Sequence, residues 1–471
     1  MTRAAAEAAL GRLDRDAVAA ERWFAAKGRT IVSIGLEDAF ELDTAAPHVL
    51  AVARLGLDDG SAQAYTFALT GRPLRPAEPG DGAWRALAVA MADGRAIGAI
   101  PPDGAAGATP TAALVCRPGP AMTATMARAT ERALGADQSN TSVVLGEAVL
   151  LKAYRRLHAG LNPELELVAF LSEEAAFPAV PPLAGYAELV SAKAGLSTVA
   201  VAQAFVAEGA DLYESLLEAL IAWLLAPGEV SLEFATEVAA DVGALTAGLH
   251  VALASRPDIP ELAPRDATRA EIRGWATAAR AHLDEAIAAT GGDTRAMLRD
   301  LAPEIAESFT VFDGLSSVPR VIRAHGDLHL GQVLVAPDGY RVVDFEGDPL
   351  DPIDVRRAHR SPLRDVAAML LSLDHVAGSA GRRAEAQNGG PLDRPGLDLA
   401  GWVPRARERF LGAYRDGLRE AGEPSAIDAA LLRAFEIDKE TAEFTYAAKY
   451  MPSWLWAPTE GIRRLLHPDD G

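Results

Sequence analysis

The chain is 471 residues long, more than one ordinary core needs and enough for two or three packed subdomains. With 49% hydrophobic and 23% charged residues, its composition is that of a globular protein rather than a disordered one. Lys plus Arg number 45 against 65 Asp plus Glu, a formal charge of -20. That sign excludes a nucleic-acid or anionic-membrane surface, since both need a positive face to release counterions, and any phosphate site must be a local exception.

The single cysteine, Cys116, excludes an internal disulfide and a cysteine-based zinc site. The opening MTRAAAEAALGRLDRD lacks the apolar core of a signal peptide, and no window approaches the length of a membrane span. A soluble, cytoplasmic protein is expected.

In chain order, IVSIGLEDAF, HVLAVARLGL and SAQAYTFALT between about residues 30 and 100 alternate apolar and polar positions, which predicts a meander of strands. The Pro- and Gly-rich PPDGAAGATPT (101–111) interrupts it as a loop. AALVCRP and TSVVLGEAVLLKAY then predict a second small sheet. From about residue 211, LYESLLEALIAWLLA, FATEVAADVGALTAGLHVALA and IRGWATAARAHLDEAIAAT carry apolar residues at i, i+3, i+4 and predict helices. A strand–loop–strand piece, VIRAHGDLHLGQVLVAPDGYRVVDFEG, follows. The tail returns to helix in PLRDVAAMLLSLDHVA, VPRARERFLGAYRDGLREAG and AALLRAFEIDKETAEFTYAAKY, with GRRAEAQNGGPLDRPG (381–396) expected to be a surface loop.

The strand–loop–strand piece carries the strongest chemical signal. Asp327 sits on a loop, Gln332 follows five residues later, and a strand beyond the turn APDG ends at Asp344. Phosphoryl transfer needs one carboxylate to orient the attacking hydroxyl and oxygen ligands to hold magnesium on the phosphates. A loop and a strand end joined by a hairpin can bring these three groups to one mouth. Upstream, a polar turn with Ser139, Asn140, Thr141 and Ser142 precedes a strand ending in Lys152, the combination that a phosphate clamp requires. Glu166, on the helix-like NPELELVAFL, is expected to hold that lysine by an ion pair.

These motifs together resemble the eukaryotic-like kinase superfamily of aminoglycoside and choline phosphotransferases. More closely, the chain resembles bacterial maltokinases and their actinobacterial glucosamine-kinase relatives. ERWFAAKGR, DQSNTSVVLGEAVLLK, NPELEL, HGDLHLGQVL, VVDFEGDP and SPLRDVAAML carry that likeness over nearly the whole chain. It implies an α+β, bilobal, protein-kinase-like fold with an N-terminal cap over 1–100, a β-rich N-lobe over 112–206 and a mostly helical C-lobe over 207–471. It further implies ATP and Mg2+ as cofactors, Asp327 as catalytic base, Gln332 and Asp344 as metal ligands, and Lys152 with Glu166 as the phosphate anchor. The hinge VAQAFVAEGADL would meet adenine around Gln203, Phe205 and Val206.

For the acceptor, His329 and Glu346 flank the catalytic carboxylates, and Asp348, Asp351 and Asp354 follow in one short stretch. Such acids suit a protonated amine, because a carboxylate gains a charge-assisted hydrogen bond to ammonium. Arg356, Arg357, Arg360 and Arg364 would serve equally well to neutralise them internally. A second wall is expected from Glu443, Tyr446 and Lys449 at helical spacing with Trp454 and Trp456 beyond, since aromatic faces meet sugar C–H patches while acids fix hydroxyls. The expectation is a monomeric aminosugar kinase, homodimer not excluded, making glucosamine 6-phosphate. Alternatives are a maltokinase forming maltose 1-phosphate, an aminoglycoside or amino-alcohol phosphotransferase, and an inactive pseudokinase with a binding role.

Overall fold

The computed structural model of the chain describes residues 1–43, 46–102, 110–135, 140–193, 195–226, 231–315, 317–347, 351–392 and 401–467. The architecture is α+β, and the chain divides into two compact units, Met1–Glu174 with Val180–Glu208 and Ala175–Ala179 with Gly209–Gly471.

The first unit opens with α1 (Arg3–Leu10) and α2 (Arg15–Ala20), whose N-termini are closed by the side chains of Thr2 and Asp14. The expected meander follows as β1 (Ile31–Asp43), β2 (His48–Leu57), β3 (Ala62–Thr70) and the short β4 (Arg75–Pro76), an antiparallel sheet in that order. Both faces of β2 are buried, and its period of two sorts them. Val49, Ala51, Ala53 and Leu55 join Leu10, Phe24 and Tyr65 in one core. Leu50 and Val52 join Trp84, Leu87 and Met91 of α3 (Ala83–Ala92) in another. That helix interrupts the predicted run of strands, because AWRALAVAMA is rich in the good helix formers Ala, Leu and Met.

The second core is closed by a seven-stranded sheet built from β5 (Ala96–Gly98), β6 (Ala112–Pro118), β7 (Glu131–Ala133), β8 (Thr141–Leu145), β9 (Val149–Ala153), β10 (Leu183–Ser191) and β11 (Gly195–Ala204), in the order β5-β6-β10-β11-β9-β8-β7. Two helices accompany it, α4 (Ala124–Ala127) and α5 (Pro163–Ala169), the latter running on into a π-helical turn. The first sheet grips the end of β9 directly. Thr66 donates its N–H to Arg155 O at 2.7 Å and its hydroxyl to Tyr154 O at 2.6 Å, and Leu157 donates to Ala64 O at 2.9 Å. Trp23 of the ERWFAAKGR segment lies under the Arg155 guanidinium, 5.4 Å from ring centre to carbon.

The second unit is helical. A short strand β12 (Ala210–Asp211) leads into α6 (Leu212–Leu225) and α7 (Leu232–Leu253), and β13 (Arg265–Asp266) precedes α8 (Arg269–Ala289) and α9 (Gly292–Ser308). After β14 (Arg320–Val321) comes the hairpin of β15 (Val333–Ala336) and β16 (Gly339–Val342), with β15 also pairing β12. The chain ends in α10 (Ile353–Arg356), α11 (Leu363–Asn388), α12 (Trp402–Glu420), α13 (Ala429–Tyr450) and α14 (Trp456–Leu466). The surface loop expected over 381–396 is corrected in its first half. α11 continues to Asn388 and ends on the left-handed Gly389, since RRAEAQN holds strong helix formers and no breaker before the glycines.

No helix among the described residues is long and apolar enough to cross a membrane. Cys116 lies on β6 with 1% of its surface exposed, and burial pushes its thiol up to about 12. The native protein is therefore expected to resist a thiol-specific reagent at pH 8 and to take up one equivalent once unfolded in guanidinium, as read by mass spectrometry.

Candidate functional site

The loop bearing Asp327 is held from behind by one buried carboxylate. Asp365, on the first turn of α11 and 1% exposed, accepts the backbone N–H groups of His325 at 2.9 Å and Gly326 at 3.0 Å. His250 Nε2 of α7 approaches the same carboxylate at 3.3 Å, and its Nδ1 meets the Tyr414 hydroxyl of α12 at 2.9 Å. Burial works to raise the Asp365 carboxyl, but the bonds from His250 and Gly326 and the field of His325 hold it below the ordinary value. The partners of Asp365 are thus backbone amides and a histidine.

His325 then aims Asp327. Its Nε2 lies 3.0 Å from Val343 O, which makes Nε2 the donor, and its Nδ1 accepts the Asp327 N–H at 3.4 Å. Its ring rests against Phe345, with centroids 4.7 Å apart. The Asp327 side chain is 23% exposed and lies 3.3 Å from Lys439 Nζ on α13. Burial raises its carboxyl, yet the Lys439 ammonium foremost, with the fields of His329 and His325, holds it below the usual carboxylate value.

The β15–β16 hairpin brings Gln332 and Asp344 to the same end. Val343 donates to Gln332 O at 2.9 Å, so the two residues leave the hairpin from adjacent strands. Asp344 has a left-handed backbone, φ 63, a conformation that costs a non-glycine residue about 1 kcal/mol or more and persists where the surroundings impose it. His329 caps the intervening turn. Its Nδ1 accepts the Gly331 N–H at 3.1 Å, and its Nε2 lies 3.3 Å from the Gln332 amide. A neutral imidazole that accepts at Nδ1 carries its proton at Nε2, the ring atom that lies beside the Gln332 Nε2. Burial lowers the His329 pKa against the opposing charge of Asp327, consistent with that neutral ring.

The expected acceptor residues fall into two groups. Asp327, His329 and Glu443 come together, Glu443 lying 3.2 Å from Lys439 one turn along α13 and acting electrostatically on His329. Beneath them His375 of α11 donates to Glu440 of α13 at 3.0 Å, and the edge of Trp454 meets His375 with centroids 5.7 Å apart. Others are engaged elsewhere. Asp351 accepts from Arg360 at 3.0 Å, and Glu346 lies 3.7 Å from Arg356, so both carry compensation from within the chain. Trp456 is corrected as a sugar platform. It packs so closely on Gly378 that an added Cβ would sit 2.5 Å from its ring, and the Arg382 guanidinium stacks on it at 4.4 Å. Tyr446 packs against Tyr450 with ring centres 5.3 Å apart and planes tilted by 44°, and Lys449 is exposed on the last turn of α13. Asp348 lies outside the described residues.

In the first unit, the lysine's partner is corrected. Lys152 Nζ on β9 lies 3.0 Å from Glu164 Oε2, with Glu164 only 2% exposed on the first turn of α5, so the role expected of Glu166 belongs to the acid two positions earlier. The Tyr154 hydroxyl donates to the same Oε2 at 2.6 Å. Ser139 lies outside the described residues, and Asn140 is the last residue before β8. Thr141 and Ser142 are strand residues opposite Ala153 and Lys152 rather than turn residues, as the β-branched run TSVV favours. At the expected hinge, Gln203 spends its side-chain amide on Pro181 O at 3.1 Å, and Phe205 donates its N–H to Ala148 O at 2.9 Å. Val206 follows, half-buried.

No protein-family model matches the chain. It is 32% identical over 412 residues to the glucosamine kinase of Streptacidiphilus jiangxiensis, 83% of each chain. It is 30% identical over 341 residues to the glucosamine kinase of Mycolicibacterium smegmatis, 72% of this chain and 80% of the other. A solved glucosamine kinase in complex with glucosamine, ADP and inorganic phosphate matches with TM-score 0.71 and 27% identity, covering 98% of this chain and 99% of its own. Crystal form A of a glucosamine kinase matches with TM-score 0.75 and 26% identity, covering 98% and 97%.

Replacing Asp365 by Ala leaves two buried backbone N–H groups without their acceptor. The variant is expected to lose about 2–4 kcal/mol of stability in urea denaturation. A loss under about 0.5 kcal/mol would refute the anchoring role.

Proposed function

We propose that the chain, which belongs to the glucosamine kinase family, transfers the γ-phosphoryl group of ATP to glucosamine, at its 6-hydroxyl. The observation that carries this is the likeness, over 98% of the chain, to a glucosamine kinase whose structure holds glucosamine, ADP and inorganic phosphate. In this reading the α+β chain is a bilobal, protein-kinase-like enzyme with a cap over 1–100 and lobes over 112–206 and 207–471.

Asp327 orients the acceptor hydroxyl and takes its proton as the oxygen–phosphorus bond forms and the bond to the bridging oxygen of ADP breaks. Its lowered pKa keeps it ionised at neutral pH. Its loop, fixed through Asp365, supplies orientation without a rearrangement at the moment of transfer. Magnesium, which neutralises charge on the β- and γ-phosphates, would be held by the Asp344 carboxylate and the Gln332 amide oxygen, a hard oxygen donor set that suits it. Lys152, tethered by Glu164, is the phosphate-anchoring cation, with Asn140 and the segment 203–206 completing the nucleotide contacts. Glu443, His329 and Trp454 are the acceptor's neighbours. The enzyme is proposed to act as a cytoplasmic monomer.

A coupled ADP-release assay with glucosamine, glucose, maltose and kanamycin tests the activity. Glucosamine is expected to give the highest kcat/KM, and faster turnover of maltose would refute the aminosugar assignment. Asp327→Asn is expected to lower kcat about a thousandfold. Glu164→Gln is expected to raise the KM for ATP about tenfold, the cost of one charge-assisted contact. Glu166→Gln, assayed beside it, is expected to change that KM by less than about threefold.

A further inference from the structure

Lys439 was absent from every motif that pointed to the site, yet its ammonium is the cation nearest to Asp327 for which a distance is resolved. It lies 3.3 Å from Asp327 Oδ1, 112 positions away along the chain, and 3.2 Å from Glu443 Oε1 on its own helix. Two features show that this contact is built rather than a chance meeting of flexible side chains. The preceding residue, Asp438, is 1% exposed and pinned between Arg364 Nη1 at 2.9 Å and His282 Nδ1 at 2.7 Å, which fixes the turn of α13 that carries Lys439. The following residue, Glu440, is fully buried against His375 and so close to Gly461 that an added Cβ there would lie 1.8 Å from its Oε1. Lys439 is thus carried on a helical turn locked on both sides, and its ammonium, 31% exposed, is directed at the carboxylate.

We infer that Lys439 is a positioning residue for phosphoryl transfer: by engaging Oδ1 of Asp327 it fixes the carboxylate's rotation and leaves Oδ2 to accept the sugar hydroxyl's proton. Glu443 holds the ammonium from the other side, so that it does not collapse onto both oxygens of Asp327. The inference rests on the assignment of Asp327 as the base. A carboxylate so held presents one oxygen in a fixed direction, and loss of that constraint turns an oriented encounter into one of several rotamers. The titratable groups facing Asp327 are His325 and His329 from its own loop and Lys439 and Glu443 from α13, with Asp365 of α11 behind the loop. Among these Lys439 is the largest influence keeping Asp327 ionised.

The test compares Lys439→Met, Lys439→Gln, Glu443→Gln and Asp327→Asn with the parent enzyme, using ATP and glucosamine at fixed magnesium across pH 3–9, so that the acidic limb of a lowered carboxylate is reached and titrations of the substrates themselves cancel. Lys439→Met is expected to lower kcat about a hundredfold with the KM for ATP changed less than about threefold. Removing the cation raises the Asp327 pKa, and activity is lost as pH falls through that pKa. The acidic limb of the rate profile is therefore expected to move to higher pH by about one unit or more in Lys439→Met and Lys439→Gln. Glu443→Gln removes a neighbouring negative charge and is expected to move the limb the other way. An unmoved limb in a folded Lys439→Met or Lys439→Gln protein, with Asp327→Asn inactive, overturns the inference whatever the value of kcat. Full activity in Asp327→Asn would instead overturn the assignment of the base.

Discussion

Two adjacent side chains at the start of α11 fix both halves of the acceptor side. Arg364 reaches forward to Asp438 and stacks on Phe435 at 4.5 Å, which seats α13. Asp365 reaches back to the amides of His325 and Gly326, which seats the loop. Successive residues of a helix diverge by about 100°, so neighbours in sequence serve opposite neighbours in space. The two groups that they seat, Asp327 and Lys439, then meet at 3.3 Å. A buried carboxylate that accepts backbone amides is costly to form and costly to break, and the energy it commits is spent on position rather than on stability alone.

The first unit uses the same device at a strand end. Tyr154 links the first sheet and Glu164 through its backbone and its side chain. Its carbonyl takes the Thr66 hydroxyl, and its own hydroxyl goes to Glu164, which holds Lys152. The lysine is therefore referenced to the first sheet through the side chains of Tyr154 and Glu164. Burial of Glu164 makes this tether expensive to leave unpaired, which keeps the lysine from wandering on its flexible stem.

The parts of this arrangement that were legible in the sequence are those written locally. β1 to β3 follow from alternation, and the hairpin from APDG between two short apolar runs. The order HGD, Gln, DFE marks a loop and a strand end because each is set by residues within a few positions. What escaped depends on direction or on distance along the chain. Glu164 and Glu166 sit two positions apart at a helix start, about 200° apart around it, and only the register of α5 on the sheet decides which one faces Lys152. Lys439 looks like any cation four residues before an acid on a helix, and only a contact spanning 112 positions gives it meaning. The acids after DFEG suited either an amine or the arginines beside them. Asp351 and Glu346 found arginines, as an acid stretch threaded with Arg356 and Arg360 allows. Trp456 was read as a sugar-facing aromatic, but the missing Cβ of Gly378, which admits its ring, carries no signature distinguishable from any other helical glycine.

The grip of the first sheet on residues 154–157 has a consequence for how such chains can be recombined. Thr66 and Ala64 bond the backbone immediately after Lys152, and Arg155 covers Trp23. The N-terminal segment and the end of β9 are thus complementary surfaces that must be inherited together. A chimera that exchanges residues 1–100 between relatives while keeping the host's own 154–157 pairs mismatched halves of one ladder. The exchangeable module runs across a stretch of chain that no linear boundary would enclose.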